Sequence, residues 1–275
     1  MGRRAFGSIT LGVLLAAASL ASAACEIRAG EGDFSLEFAS GKASDTWTRT
    51  YQLPPGGRIE IINTNGEILA EAAPDGPVEV HADRTVKATS DDAAREMLAK
   101  VEMREEAGPT RVRIEAIGPR LRMGGLTAKF VVRVPPGVHV DLRTVNGGVR
   151  LDNVGGEVRA TTTNGGVRGR LAAVSLLDAR TTNGGVELEV SGPVSANARV
   201  TLSSVNGGVK LKVPGDTRAT LTARCVNGRV SVTDLDVTDD EGSDSRRRRL
   251  QGTLNGGGAR IELQTTNGGV AIGRS

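Results

Sequence analysis

The chain is 275 residues long, carries a formal net charge of only +3, and contains 37 glycines but six aromatic residues (4 Phe, 1 Tyr, 1 Trp). So small a charge, with no aromatics interleaved among the basic residues of its repeated phrases, argues against nucleic acid as a partner. The glycine content and the recurrence of one short phrase point to a single elongated repeat domain, whose narrow interior of small side chains leaves no room for a substrate or cofactor.

Residues 1–23 read as a secretory signal peptide: Met1-Gly2-Arg3-Arg4, an apolar run from Ile9 to Leu20, then Ala21-Ser22-Ala23. The run is too short to span a bilayer as a mature helix, so the mature protein is expected to be exported, to the periplasm or cell surface if the source is bacterial. Cys25 stands where a lipoprotein signal places its acylated cysteine, yet Ser22 fills the slot where such a signal has leucine or another aliphatic. Two outcomes stay open: a plain cut after Ala23 that frees the protein, or lipidation of Cys25 that anchors it to the outer membrane. The second cysteine, Cys225, occupies an inward slot of the repeat and reads as a buried structural thiol; a Cys25–Cys225 disulfide is the alternative that export permits.

Residues 24–57 hold Phe34, Phe38, Trp47 and Tyr51, four of the six aromatics. The first coil of a repeat stack has an open apolar end, so this segment reads as a cap, with an aromatic sugar-binding platform as the functional alternative. The repeat region is taken as 58–275. Its first coil is Arg58 to Ala70, with Ile59, Ile61, Asn63 and Asn65 on one parity. The next Asn-Gly phrase comes 81 residues later, so an insertion at about 84–125 is expected. Within it, Ser90-Asp91-Asp92 caps a short helix running towards Lys100, its carboxylates near the positive end of the helix dipole. Val112, Ile114 and the run from Thr127 to Val134 read as strands.

From Asp141 one phrase recurs: Thr144-Val145-Asn146-Gly147-Gly148-Val149, Thr162-Thr163-Asn164-Gly165-Gly166-Val167, Thr181-Thr182-Asn183-Gly184-Gly185-Val186 and Ser204-Val205-Asn206-Gly207-Gly208-Val209. The asparagines are spaced by 18, 19 and 23, and a step of 21 reaches Asn227. Apolar or small residues hold fixed slots four and two before each asparagine and three after it, which is one face of a strand on either side of a bend. An antiparallel meander uses Asn-Gly bends of this kind. However, second bends at Val154-Gly155-Gly156 and Ser191-Gly192-Pro193 make each repeat a coil of about twenty residues. The fold class expected is therefore all-β, a parallel β-helix or solenoid with one short helix. Stacked coils would bring Asn146, Asn164, Asn183, Asn206, Asn227 and Asn267 to about 4.8 Å spacing, close enough for a ladder of side-chain amides. A charged loop at about 236–250, with Asp239-Asp240-Glu241 before Arg246-Arg247-Arg248-Arg249, interrupts the coils. Asn255-Gly256-Gly257-Gly258 lacks the valine and is left out of the ladder, whereas Asn267 restores the phrase with Val270 after it.

These Thr-x-Asn-Gly-Gly-Val coils, with Ile61-Ile62-Asn63-Thr64-Asn65-Gly66, the Val132-Arg133-Val134-Pro135-Pro136-Gly137 lead-in and the closing Gln264 to Val270, resemble the bacterial putative-adhesin β-solenoid family, related to the toast-rack domains of envelope-stress proteins. The resemblance covers the sequence from about residue 50 to its end and implies a fold; it brings no catalytic residues. His81 and His139 lie in no metal-ligand spacing, and outward carboxylates in the coils are few. No catalytic, cofactor-binding or metal residue is therefore assigned and no cofactor is expected. The function expected is a non-enzymatic exported structural or interaction module of the envelope, acting through its outer faces. A carbohydrate-active enzyme on a β-helix, and an accessory or sensor part in envelope-stress signalling, are the alternatives. The partners expected are an envelope polysaccharide or another envelope protein, with the membrane involved only if Cys25 is lipidated. Outward Arg143, Arg150, Arg168 and Arg180 would form a modest basic stripe towards acidic polymers.

Overall fold

The computed structural model describes residues 25–30, 33–38, 40–119, 125–239 and 248–275. The leader, residues 240–247 of the charged loop and the side chains of Cys25, Phe34 and Phe38 lie outside that description, and with them the expectations on cleavage and lipidation. Among the described residues the protein is all-β with one helix. Cys25–Gly30 and Asp33–Phe38 form an antiparallel pair, and the remaining strands join one open nineteen-stranded sheet of mixed parallel and antiparallel pairs.

That sheet has two limbs, separated at the Asn-Gly bends. The approach limb, made of strands that run up to each bend, orders Arg111–Ile117, Arg58–Ile62, His139–Asn146, 158–164, 177–183, 199–206, Ala259–Asn267 and Ala219–Asn227, all parallel. The departure limb orders Gly125–Val134, Ile68–Ala72, 149–152, 167–171, Val186–Val190, Val209–Val213, Val270–Arg274 and Val230–Thr233, again parallel. Neighbouring repeats thus run in one direction, as an antiparallel meander would not. Antiparallel strands flank the stack: Glu102–Ala107 beside Arg111–Ile117, Val78–Ala88 and then Gly41–Tyr51 beside Gly125–Val134, and Arg249–Leu254 with Val237–Asp239 beyond Ala219–Asn227.

The sequence slots explain the pairing. Four before the asparagine, Ile61, Leu142, Ala160, Ala179, Leu202, Leu263 and Ala223 are all buried; three after it, so are Ile68, Val149, Val167, Val186, Val209, Val270 and Val230. The bend resets the parity, so both limbs turn these residues into one continuous core. Each fully buried leucine or valine contributes on the order of 1.5–3 kcal/mol relative to exposure. A register slip by one residue would turn the whole set outwards, which holds the register.

Two features depart from a stack in simple chain order. Arg111–Ile117 and Gly125–Val134, the first of which falls in the expected insertion, pair in parallel with the first coil: Val112 and Ile114 stand beside Ile59 and Ile61, and Phe130 beside Ile68. The last phrase is also displaced, since Ala259–Asn267 lies between the Asn206 and Asn227 strands instead of after them. The backbone gets there from Arg249–Leu254, on the far side of Ala219–Asn227, through Asn255 to Gly258. That crossover needs four successive positive φ angles, 46°, 80°, 83° and 152°, which three glycines and an asparagine tolerate. Asn255 Nδ2 fastens it to the carbonyls of Gly215 and Thr217 at 3.0 and 2.9 Å, which is why this asparagine is no ladder rung.

The helix, Asp91–Leu98, starts as its sequence demands: Ser90 Oγ accepts from the Ala93 N–H at 3.2 Å, with Asp91 and Asp92 in the first turn. It packs on Gly41–Tyr51 and Val78–Ala88, and Trp47 from the first of these is 9% exposed against the core. Trp47 is therefore packed, with the Arg49 guanidinium 5.2 Å from its ring centre.

Candidate functional site

At each bend the asparagine side chains stand in line. Asn146 Nδ2 donates to Asn65 Oδ1, Asn164 to Asn146, Asn183 to Asn164, Asn206 to Asn183, Asn267 to Asn206 and Asn227 to Asn267, at 2.8–2.9 Å. Asn65, which the sequence slots left in the first coil, begins this line and donates to the Leu126 carbonyl at 3.1 Å. Behind the asparagines runs a second line, which the sequence pattern marks only as small inward residues. Thr144, Thr162, Thr181, Ser204 and Thr265 each donate their hydroxyl to the glycine carbonyl of the neighbouring coil at 2.7–3.1 Å. Cys225 fills the same slot on the Asn227 coil; it is free, buried, and its thiol is pushed up by burial. The disulfide alternative needs Cys25, whose side chain lies outside the described residues.

The outward basic residues do not form one stripe. Arg143 and Arg180 precede their bends and lie on the approach limb, whereas Arg150 and Arg168 follow theirs and lie on the departure limb. They are also compensated. Arg143 holds Asp141 at 2.9 and 3.0 Å, Arg180 holds Asp178 at 2.6 and 2.9 Å, and Arg150 stands 3.6 Å from Glu67. Hydrogen bonding to Asp178, and then its charge, raises the Arg180 guanidinium above its usual range, so that pair is fixed. Arg168 sits near Glu187, whose carboxyl is held low chiefly by the hydrogen bond to Lys210 at 2.9 Å.

Uncompensated charge gathers elsewhere, in a groove of about 520 Å³ on the outer side of the approach limb. Arg159, Asp178, Arg180, Arg199, Arg260 and Glu262 line it. The register puts Arg199 directly beside Arg260 on adjacent parallel strands, with Thr201 beside Glu262 two residues on. Neither Arg199 nor Arg260 has a hydrogen-bond or ion-pair partner among the described residues, while Arg159 reaches Glu157 at 3.5 Å. Two guanidinium groups on neighbouring strands, about 4.8 Å apart at the backbone, present parallel N–H donors to a planar or tetrahedral anion. Sequence alone does not reveal this pair, because 61 residues separate its members and only the displaced last repeat brings them together.

Two other clusters resemble chemistry more than they support it. Thr48 Oγ1 and Asp83 Oδ1 each lie 3.0 Å from a nitrogen of His81, but Thr48 and His81 are a cross-strand pair on an exposed face, and the His81 and Asp83 side chains are 42% and 57% exposed. Glu60 and Asp141 are neighbouring carboxylates, 4% and 5% exposed, yet Glu60 is paired with Arg111 and Asp141 with Arg143. Among the described residues no group of three His, Cys, Asp or Glu is placed to hold a metal ion, and no helix is long and apolar enough to cross a membrane.

With this geometry the protein has counterparts among solved structures. It shares its fold with a protein from Clostridium sporogenes named a "putative cell adhesion protein". The two superpose with a TM-score of 0.51 at 12% identity, over 85% of this chain and all of the other. A "putative adhesin" from Bacteroides fragilis matches with a TM-score of 0.37 at 12% identity, over 84% of this chain and 97% of its own. A "putative lipid binding protein" from Parabacteroides distasonis matches at 0.30 and 11% identity, with the same coverage. The fold that the repeated phrases led one to expect thus has a structural neighbour in the Clostridium protein. No family model matches the sequence, and no curated protein does.

Proposed function

We propose that the protein is an exported, non-enzymatic interaction module of the bacterial cell envelope, a β-solenoid over residues 58–275 behind a cap at 24–57, which holds an acidic polymer in the groove of Arg199 and Arg260. The parallel register of the repeats supports the solenoid, and the leader sequence supports export, with Cys25 as the residue to examine for a lipid anchor. The observation that carries the binding reading is a pair of arginines, without partners among the described residues, set side by side in an open groove, on a limb where Arg143 and Arg180 of the expected stripe face carboxylates. Anionic groups spaced along a polymer, such as the carboxylates of an acidic polysaccharide, fit such a site by charge. The Glu262 and Asp178 carboxylates in the same groove disfavour a ligand with more than one charge per sugar and leave room for hydroxyl contacts. The adhesion named for the Clostridium protein is consistent with this role.

Binding of polygalacturonate and of neutral dextran to the full-length protein, measured by calorimetry or retardation in an affinity gel, tests it. Polygalacturonate should bind weakly and lose affinity as salt rises, since the contacts are exposed and screened. The double variant Arg199→Glu/Arg260→Glu should lose about tenfold or more, two charge-assisted contacts each worth on the order of 1–3 kcal/mol. Equal binding of dextran, or an unchanged affinity in that variant while Arg143→Glu weakens it, would overturn the groove.

A further inference from the structure

We propose that Asn227 is the rung of the asparagine ladder exposed to spontaneous deamidation, a modification site at the last parallel strand of the stack. The inference is independent of the groove. An Asn-Gly pair cyclises when the glycine backbone nitrogen, having given up its proton to base, attacks the asparagine Cγ. A new bond forms between that nitrogen and Cγ, the bond from Cγ to the amide Nδ2 breaks, and ammonia leaves. Water then opens the cyclic imide at either carbonyl, to aspartate or isoaspartate. The net change is water consumed and ammonia released, with no oxidant or reductant.

Seven rungs carry the same Asn-Gly sequence, so the structure supplies its own comparison. In six of them the nucleophile is occupied. The N–H of Gly66, Gly147, Gly165, Gly184, Gly207 and Gly268 donates to the asparagine carbonyl of the next coil at 2.8–3.0 Å. Among the described residues Gly228 has no such bond, because the Asn227 coil is the last of the parallel stack and no further asparagine carbonyl lies beyond it. The side chain is likewise half released. Asn146, Asn164, Asn183, Asn206 and Asn267 each donate to one ladder neighbour and accept from the other, so each must break two bonds to swing Cγ towards the glycine nitrogen. Asn227 donates to Asn267 Oδ1 and accepts from no rung. Asn65, at the other end, keeps its glycine N–H bonded to Asn146 and its amide bonded to Leu126. The end that opens is therefore determined by the displaced last repeat; in plain chain order Asn267 would hold this position. Asn255-Gly256, outside the ladder, has its amide tied to two carbonyls and is no rung.

The product alters the edge. Aspartate at 227 has no N–H to give Asn267 Oδ1, and isoaspartate inserts a backbone atom before Gly228, shifting Val230 from its buried slot. The test is to age the purified full-length protein at mildly alkaline pH and map each Asn-Gly peptide by mass spectrometry, with isoaspartyl methyltransferase labelling. Asn227 should convert at least about tenfold faster than each of the other rungs, the factor that one forgone hydrogen bond is worth. Conversion of any other rung as fast as Asn227 overturns the inference. So does the same order of rates in urea, where only local sequence acts.

Discussion

The threonines two places before the asparagine, Thr162, Thr181 and Thr265, each do two things: the methyl side fills the inward slot, and the hydroxyl satisfies a glycine carbonyl of the neighbouring coil that no other described side chain reaches. Thr181→Val keeps the shape and removes the donor, leaving the Gly165 carbonyl without its side-chain partner. We expect a loss of about 1–2 kcal/mol in urea denaturation, the usual penalty for a buried acceptor deprived of its donor. The converse change is available at Cys225, where the same slot holds a thiol with no hydrogen bond to Gly268; Cys225→Thr should stabilise the fold by up to about 1 kcal/mol. Because burial pushes that thiol up, it stays protonated at neutral pH, and Ellman's reagent should react slowly with the native protein and at once in urea. Fast reaction in the native state would show the slot to be open. The inward position of these residues was legible from the spacing alone. The hydroxyl's acceptor was not, because it belongs to another coil and depends on how the coils stack.

A coil needs its first glycine for a reason that bend propensity does not cover. A Cβ on Gly165 would lie 2.1 Å from the Gly147 carbonyl oxygen, and one on Gly184 would lie 2.1 Å from that of Gly165. The same carbonyls receive the threonine hydroxyls, so the approach is as close as the stacking itself requires. Gly165→Ala must push two backbones apart and break the ladder locally, and we expect a cost above about 2 kcal/mol, beyond any helix- or turn-propensity effect. By contrast Gly56, whose Cβ would meet nothing within 4 Å, carries only its positive φ of 82°, and Gly56→Ala should cost less. Comparing the two variants by thermal unfolding separates close approach from backbone conformation; equal losses would refute the packing argument. At this scale the period, the bends and the capped helix were all readable, since each is a local pattern of residue types. The role of Arg111–Ile117 and Gly125–Val134 was not, because they carry no Asn-Gly phrase, and the residues that seat them in the core beside the first coil, Val112, Ile114, Phe130 and Val132, read only as ordinary strand residues.

The order of coils is a property of the whole molecule, and it distinguishes this protein from an array that simply adds repeats. In such an array the last repeat touches one neighbour, and removing it leaves the others folded. Here Ala259–Asn267 pairs on both sides, Ile261 beside Val200 on one strand and beside Leu221 on the other. The sequence contains no signal of this, since the phrase at Asn267 reads like any other and only the crossover at Asn255 to Gly258 redirects it. A variant ending at Leu254 would therefore lose an internal strand: Ala219–Asn227 would lose its parallel partner, and the Asn206 coil would end the stack with its apolar edge uncovered. Hydrogen exchange of that truncated protein should show Ala219–Asn227 and Val230–Thr233 unprotected while 139–190 stay protected, with protection along Val194–Asn206 falling to that of an edge strand. If the Asn227 coil instead keeps full protection, it has closed onto the Asn206 strand in chain order. The displaced stacking would then be one of two arrangements open to the same sequence.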